Sequence, residues 1–307
     1  MKNELIDWIV FWGIFALLFF IDLFVSERRS EKISLKSSLV WSTIWTVAAL
    51  IFNVFIFYSL GKDRAVEFLA GYIIERSLSF DNLFVFLLIF QVMNISAENQ
   101  PHVLKWGILS AIVFRIIFIL AGVGLVTLFE PVIYIFALIL LYAAYKMAFG
   151  GEQTINVENN WLVRLANKYV NFDPGYKGKK FFVTKDKKKF ATTIFLTFLL
   201  IESSDIIFAV DSIPAIIAIT KDTFIIISSN IFAILGLRAL YFALAALVDL
   251  FVYLKYGVAI ILFYVGVKMM ISDLYHISTE ISLGIIVVLL TGSIILSLFH
   301  KKKVVEK

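Results

Sequence analysis

The chain has no cysteine, so disulfides, thiolate metal ligands and thiol chemistry are excluded in whatever compartment it works. Charge is scarce as well. Charged residues make up 17% of the 307 positions, below the roughly 25% of soluble domains, while hydrophobic residues reach 61%. A water-soluble fold could not hide that much apolar surface. Histidine is nearly missing: His102, His276 and His300 fall in loops or at segment ends, so no imidazole sits inside an apolar stretch. The basic residues behind the net charge of +5 gather in a few hydrophilic stretches. That distribution fits membrane topology and argues against nucleic-acid binding.

What is abundant is long apolar runs. Crossing a hydrocarbon core of about 30 Å takes about 20 helical residues, and suitable stretches run approximately 5–25, 39–60, 66–94, 104–127, 130–149, 190–219, 223–248, 255–272 and 281–300. The expectation is an all-α, polytopic membrane protein of about nine transmembrane helices. The first run lacks a basic leader and a small-residue cleavage pattern, so it reads as a retained helix. Glu130-Pro131 and Lys221-Asp222 are short enough to make tight helical hairpins. The chain then divides into N-terminal helices (1–60), a first repeat (61–149), a basic loop (150–189), a second repeat (190–272) and a last helix with a basic tail (273–307).

An odd helix number puts the termini on opposite sides, and Lys and Arg choose which. Most of them lie in 26–36, 150–189 and 301–307, which places the N-terminus outside and the C-terminus in the cytoplasm. Lys177, Lys179, Lys180, Lys185, Lys187, Lys188 and Lys189 would then lie near the anionic inner leaflet as a topology signal. Within that loop, 178–186 has the pattern of a small hairpin.

Charge inside the runs is the informative feature, because each such group costs roughly 2.5–3.5 kcal/mol on the insertion scale at the bilayer centre. The third run carries Glu67, Glu75, Arg76, Asp81 and Asn82; the sixth carries Glu202, Asp205, Asp211 and Ser212. Arg115 lies in the fourth, and Asn230 and Arg238 in the seventh. Glu75-Arg-Ser-Leu-Ser-Phe-Asp81-Asn82 and Asp205-Ile-Ile-Phe-Ala-Val-Asp211-Ser212 both space two carboxylates six residues apart before a small polar residue. In the runs that follow, Gly107 and Asn230 each precede an arginine by eight residues. Two matches in the same order indicate an internal repeat, the third to fifth runs against the sixth to eighth. Copies three helices apart insert with opposite orientation, the inverted-topology arrangement that places a shared site near the membrane midplane.

On an ideal helix Glu75, Ser79 and Asn82 share a face while Asp81 points about 120° away. A bend is therefore expected: at Val210–Pro214, where proline removes a backbone bond, and more weakly near Gly71, Ser77 and Ser79. About five buried acids against about three arginines leave a local excess of negative charge that a divalent cation or protons would neutralise. Carboxylate, amide and hydroxyl oxygens suit Mn²⁺, Ca²⁺ or Mg²⁺ and no permanently bound cofactor. In this reading Arg76, Arg115, Arg238 and Asn230 balance or gate the acids. Glu67 is interfacial, with an accessory role in guiding ions.

EFLAGYIIERSLSFDNLFVF from Glu67, LLIESSDIIFAVDSIPAI and SSNIFAILGLRALYF resemble the TerC family of membrane proteins, particularly its Alx-like members, over most of residues 6–299. That family looks like a relative of the LysE transporter superfamily. The resemblance implies Mn²⁺ efflux across a bacterial inner membrane, with the acidic motifs falling on Glu75, Asp81, Asn82, Glu202, Asp205, Asp211 and Ser212. Asp22 also matches a family position and reads equally well as a polar residue snorkelling at a helix end. Two other readings use the same residues. A non-transporting metal sensor or metallation factor would share the site. An intramembrane aspartyl protease would pair Asp81 with Asp211, but the additional acids, the three arginines and the missing Gly-x-Gly-Asp context speak against an enzyme.

Overall fold

The computed structural model describes residues 2–27, 35–150, 160–173, 178–185, 188–247, 253–272, 274–275 and 277–305. Five helices come before the loop: α1 (Lys2–Glu27), α2 (Leu35–Leu60), α3 (Lys62–Val92), α4 (Gln100–Leu128) and α5 (Val132–Phe149). A short α6 (Trp161–Tyr169) and strands β1 (Asn171–Asp173), β2 (Phe182–Lys185) and β3 (Lys188–Thr192) follow. The second half holds α7 (Thr193–Ile217), α8 (Thr223–Ile234), α9 (Leu237–Leu247), α10 (Leu254–Met270) and α11 (Thr279–Val305). Backbone polar groups in hydrocarbon must be satisfied within the segment, which is why nearly every apolar run is helical.

Each of the nine expected runs lands on helix, the seventh being split between α8 and α9. Among the described residues five helices are long and apolar enough to cross a bilayer alone, and α8 with α9, bent by 44° at their break, makes a sixth if the pair is taken as one span. The rest differ for physical reasons. α3 is interrupted by charges, α10 has only 17 residues, and the described apolar stretch of α1 spans Leu5–Ile21. Both hairpins are tight: Pro131 precedes α5, and Asp222 caps α8 by accepting from the Phe224 and Ile225 amides at 2.9 and 3.3 Å.

The break in the helical run falls elsewhere than at Pro214. α7 continues through Pro214 to Ile217, because a proline in the last turn forfeits only one bond close to the helix end. α3 also runs from Lys62 to Val92 past Gly71, Ser77 and Ser79. The break falls at Leu235-Gly236, where Gly236 has φ +83 and a Cβ would lie 2.5 Å from Trp45 Cδ1. Only glycine fits that left-handed, crowded position.

Packing obeys the inverted repeat. Running up α3, Glu67 meets Thr220 and Gly71 meets Ile216, while Arg115 joins Glu75 to Ser212, so α3 and α7 are antiparallel. α4 runs antiparallel to α8 and α9 in the same manner, with Arg115 on Asn230 and Gln100 accepting from the Tyr241 hydroxyl at 3.0 Å. The third pair, α5 and α10, packs closely where a Cβ on Gly266 would come within 3.0 Å of Leu141 Cγ. The structure also exposes an overlooked match: Leu140-Leu-Tyr-Ala-Ala-Tyr-Lys-Met147 corresponds to Leu262-Phe-Tyr-Val-Gly-Val-Lys-Met269. In the second copy Tyr264 and Lys268 both donate to Ser282 Oγ of α11, at 3.0 and 2.9 Å.

Aromatic side chains from α1, α2, α3 and α8 fill one side of the core; Phe52 and Phe232 stack at 4.6 Å, and Trp8 meets Phe224 edge-on at 5.0 Å. At one end of the bundle the segment between the repeats forms a cap. Its sheet has the order β1-β3-β2, with β1 parallel and β2 antiparallel to β3. The hairpin expected over 178–186 is therefore β2 and β3, and its turn lies outside the described residues. Phe181 lies against His102 and Phe198, at 5.3 and 5.5 Å between ring centres, and Asn160 Nδ2 donates to Ser203 Oγ of α7 at 2.6 Å.

Candidate ion site at the crossing of α3, α4, α7 and α8

The antiparallel repeats bring a carboxylate from each copy to one guanidinium. Arg115, 1% exposed, donates through Nη1 to Glu75 Oε1 and, at 3.1 Å each, to Ser212 Oγ and Asn230 Oδ1. Its Nη2 lies 3.5 Å from Asp205 Oδ1. Glu75, Asp205, Ser212 and Asn230 are themselves buried. Asn230 turns its carbonyl to the arginine because its Nδ2 donates to the Ile226 carbonyl at 3.1 Å. Two ionised carboxylates around one guanidinium leave a unit of negative charge in a low-dielectric setting, and Glu75 Oε2 has no hydrogen-bond partner. Such a group calls for a further cation or a proton.

Beside this cluster lies a cavity of about 20 Å³ bounded by Leu83, Phe86, Gly107, Glu202, Asp205 and Arg238, among others. Glu202 is 3% exposed and neither of its oxygens has a hydrogen-bond partner. The space admits one water-sized guest. Among the described residues no three Asp, Glu or His side chains come close enough together to hold one ion. The cluster is closed around Arg115, whose guanidinium is shared by Glu75, Ser212, Asn230 and Asp205.

The remaining sequence candidates divide. Asn82 is buried on α3, Asp211 is partly buried on α7, and Arg238 is buried on α9. The side chains of Asp81 and Asp22 lie outside the described residues, although both positions are helical. Arg76 departs from its expected role: it donates to the Ala233 and Leu235 carbonyls at 3.0 and 3.4 Å and to Ser42 Oγ at 3.0 Å. These carbonyls are left short of partners by the α8–α9 break, so Arg76 serves backbone instead of a carboxylate.

Glu67 lies at the end of the bundle opposite the cap, on the wall of a vestibule of about 750 Å³. Its Oε2 accepts from Arg64 Nη1 at 2.8 Å and from the Thr220 hydroxyl at 2.7 Å. Arg64 Nε also reaches Asp222 Oδ2 at 3.4 Å. Arg64, Thr220 and Asp222 escaped sequence reasoning because charge at a segment end is usually solvated. Their separation of about 156 positions gives no local signal.

Paired, oppositely oriented helical repeats with ionisable groups buried at their crossing define a multi-pass integral membrane protein. The chain belongs to the integral membrane protein TerC family, whose family model matches residues 60–305. It is 42% identical over 251 residues to an uncharacterized membrane protein of Rickettsia bellii, covering 82% of this chain and 83% of that one. It is 43% identical over 254 residues to the uncharacterized membrane protein STKORF319 of Myxococcus xanthus, covering 83% and 80%. It is also 43% identical over 239 residues to the "Putative membrane-bound redox modulator Alx" of Escherichia coli K12, covering 78% and 74%. No solved structure matches it.

Proposed function

We propose that this protein exports a divalent cation, Mn²⁺ first among them, from the cytoplasm of a bacterium across its inner membrane, with protons moving in exchange. The observation that carries the reading is the meeting of Glu75 and Asp205, one from each inverted copy, on the buried Arg115. Charge is not spent on packing at that cost without a use for it. The oxygen-only donor set favours a hard or borderline ion over Cu⁺ or structural Zn²⁺, and the same donors suit Ca²⁺ and Mg²⁺ as well. Kinship with LysE-type transporters would give the same direction of movement. In the proposed topology the N-terminus is outside, the basic cap is cytoplasmic, and the vestibule opens outward. Thiol-based redox control has no residue to act through in a chain without cysteine.

In this mechanism Arg115 holds Glu75 and Asp205 while the site is empty, limiting their repulsion. An arriving cation displaces the guanidinium and is completed by Ser212, Asn82 and the acids Asp81, Asp211 and Glu202 as the repeats rock. Protein reconstituted in sealed vesicles should take up or release Mn²⁺, and Asp81→Asn or Asp211→Asn should abolish that flux while leaving folded protein in the membrane. Flux should also respond to a pH gradient at fixed metal gradient. Absence of any Mn²⁺ movement by the unaltered protein would refute transport and leave a sensor or metallation role.

A further inference from the structure

Three layers stack along the α3–α7 contact. Glu67 faces Thr220, Gly71 faces Ile216, and Glu75 stands opposite Ser212. Each step is four residues on both sides, Thr220 lying one turn past the end of α7 with its amide on the Ile216 carbonyl at 3.1 Å, so consecutive layers are about 6 Å apart. The first layer belongs to the vestibule and the third to the buried charge cluster. Only the middle layer separates them.

That middle layer is buried and tight. Ile216 is 1% exposed and Ser229 is fully buried. A Cβ on Gly71 would lie 2.7 Å from Ile216 Cδ1 and 2.9 Å from Ser229 Oγ. Glycine lets the α3 backbone close against a single isoleucine, so one side-chain rotation with a small helix separation would open the passage. Above it, Arg64 ties the first turn of α3 to the turn between α7 and α8 through Glu67, Thr220 and Asp222. The Arg64 side chain is 41% exposed, and ion pairs of that exposure are weak and readily exchanged. Such a tie suits a device that must open better than one that must hold the fold.

We propose that the Gly71–Ile216 layer is the gate on the vestibule side of the ion pathway and that Arg64 is its latch, released when a divalent cation takes over Glu67 and Asp222. This rests on the transport reading for the identity of the cation, while the gate itself is a statement about access. In the transport cycle a cation leaving the Arg115 cluster passes one apolar layer and is received by the two carboxylates that Arg64 otherwise occupies.

The absence of native cysteine makes the gate directly measurable. Ala218→Cys would place a thiol in the vestibule, and Ser229→Cys, nearly isosteric, would place one behind the gate. Intact cells are treated with a cationic, membrane-impermeant methanethiosulfonate. Ala218→Cys should react promptly and Ser229→Cys about tenfold more slowly, the factor given by about 1.4 kcal/mol of gating free energy. Adding Arg64→Gln or Ile216→Ala to Ser229→Cys should recover most of that factor, and Arg64→Lys should leave the rate slow. Equal rates for the two thiols, an unchanged Ser229→Cys rate in both double variants, or an Ala218→Cys thiol unreactive from outside would each overturn the gate. Labelling needs no flux. A chain that shows this pattern and moves no Mn²⁺ keeps the gate and loses the transported ion.

Discussion

Replacing Arg115 with Gln tests the centre of the molecule most directly. The guanidinium is 1% exposed and is shared among Glu75, Asp205, Ser212 and Asn230. Removing one partner of a buried ion pair costs about 3–5 kcal/mol because the other charge is left uncompensated. At the roughly 2–4 °C per kcal/mol of mid-sized domains, the variant should unfold roughly 6–20 °C lower. Metal should then act differently on the two proteins. On the proposed mechanism an entering cation displaces Arg115 in the unaltered chain, whereas the variant leaves that place open. A ligand at one hundred times its Kd stabilises the folded form by about 2.7 kcal/mol, enough to restore much of the loss. The assay is heating in detergent with size-exclusion detection of surviving protein, with Mn²⁺, Ca²⁺ or Mg²⁺ present or absent. Arg115→Lys keeps the charge and loses the planar fork, so it should fall between. Equal melting of Arg115→Gln and the unaltered protein, or equal stabilisation of both by Mn²⁺, would refute the claim that Arg115 fills the ion's seat.

Gly236→Ala should sharply reduce the yield of folded protein in fluorescence-detected size exclusion, because a left-handed residue costs roughly 1–2 kcal/mol and its Cβ would overlap Trp45 at 2.5 Å. Asn160→Ala removes both the bond to Ser203 and the cap on the Leu162 and Val163 amides. It should cost about 0.5–2 kcal/mol, read as faster limited proteolysis between residues 160 and 192 with the helices intact. Gly71→Ala forces Ile216 aside and should cost about 1–3 kcal/mol of overpacking, visible as a lower melting temperature.

The helical runs were legible because hydrocarbon leaves helix as the one way to satisfy the backbone, and length alone then finds it. The inverted pairing was legible too, since Glu75 and Asp205 sit in copies of one motif an odd number of helices apart. The unwinding expected at Pro214 does not occur. A proline announces a missing bond wherever it stands, but at Pro214 the helix is about to end, so little structure depends on it. The break at Gly236 carries no proline, and it is set by Trp45 and Arg76, far away in sequence, which is also why Arg76 was miscast as a partner for acids. Arg115 as the single shared partner of Glu75 and Asp205 was beyond spacing arguments, because a side chain's choice among several buried acids depends on the three-dimensional crossing. The Tyr and Lys-Met match of α5 and α10 was in plain view and supports the third helix of each repeat with a motif of its own.

The α8–α9 break has no counterpart in the first copy: by the Arg115 to Arg238 correspondence Leu235 pairs with Ile112, where α4 is continuous, and Arg76 pairs with Ile206 on α7. Perfectly matched halves would idle with equal ease toward either compartment. If the chain works as the proposed transporter, one broken and one straight arm would give its two poses unequal free energies and therefore a favoured idle pose. The compartment faced in that pose would be the one whose ion concentration the protein answers to, and the glycine at the break would set it.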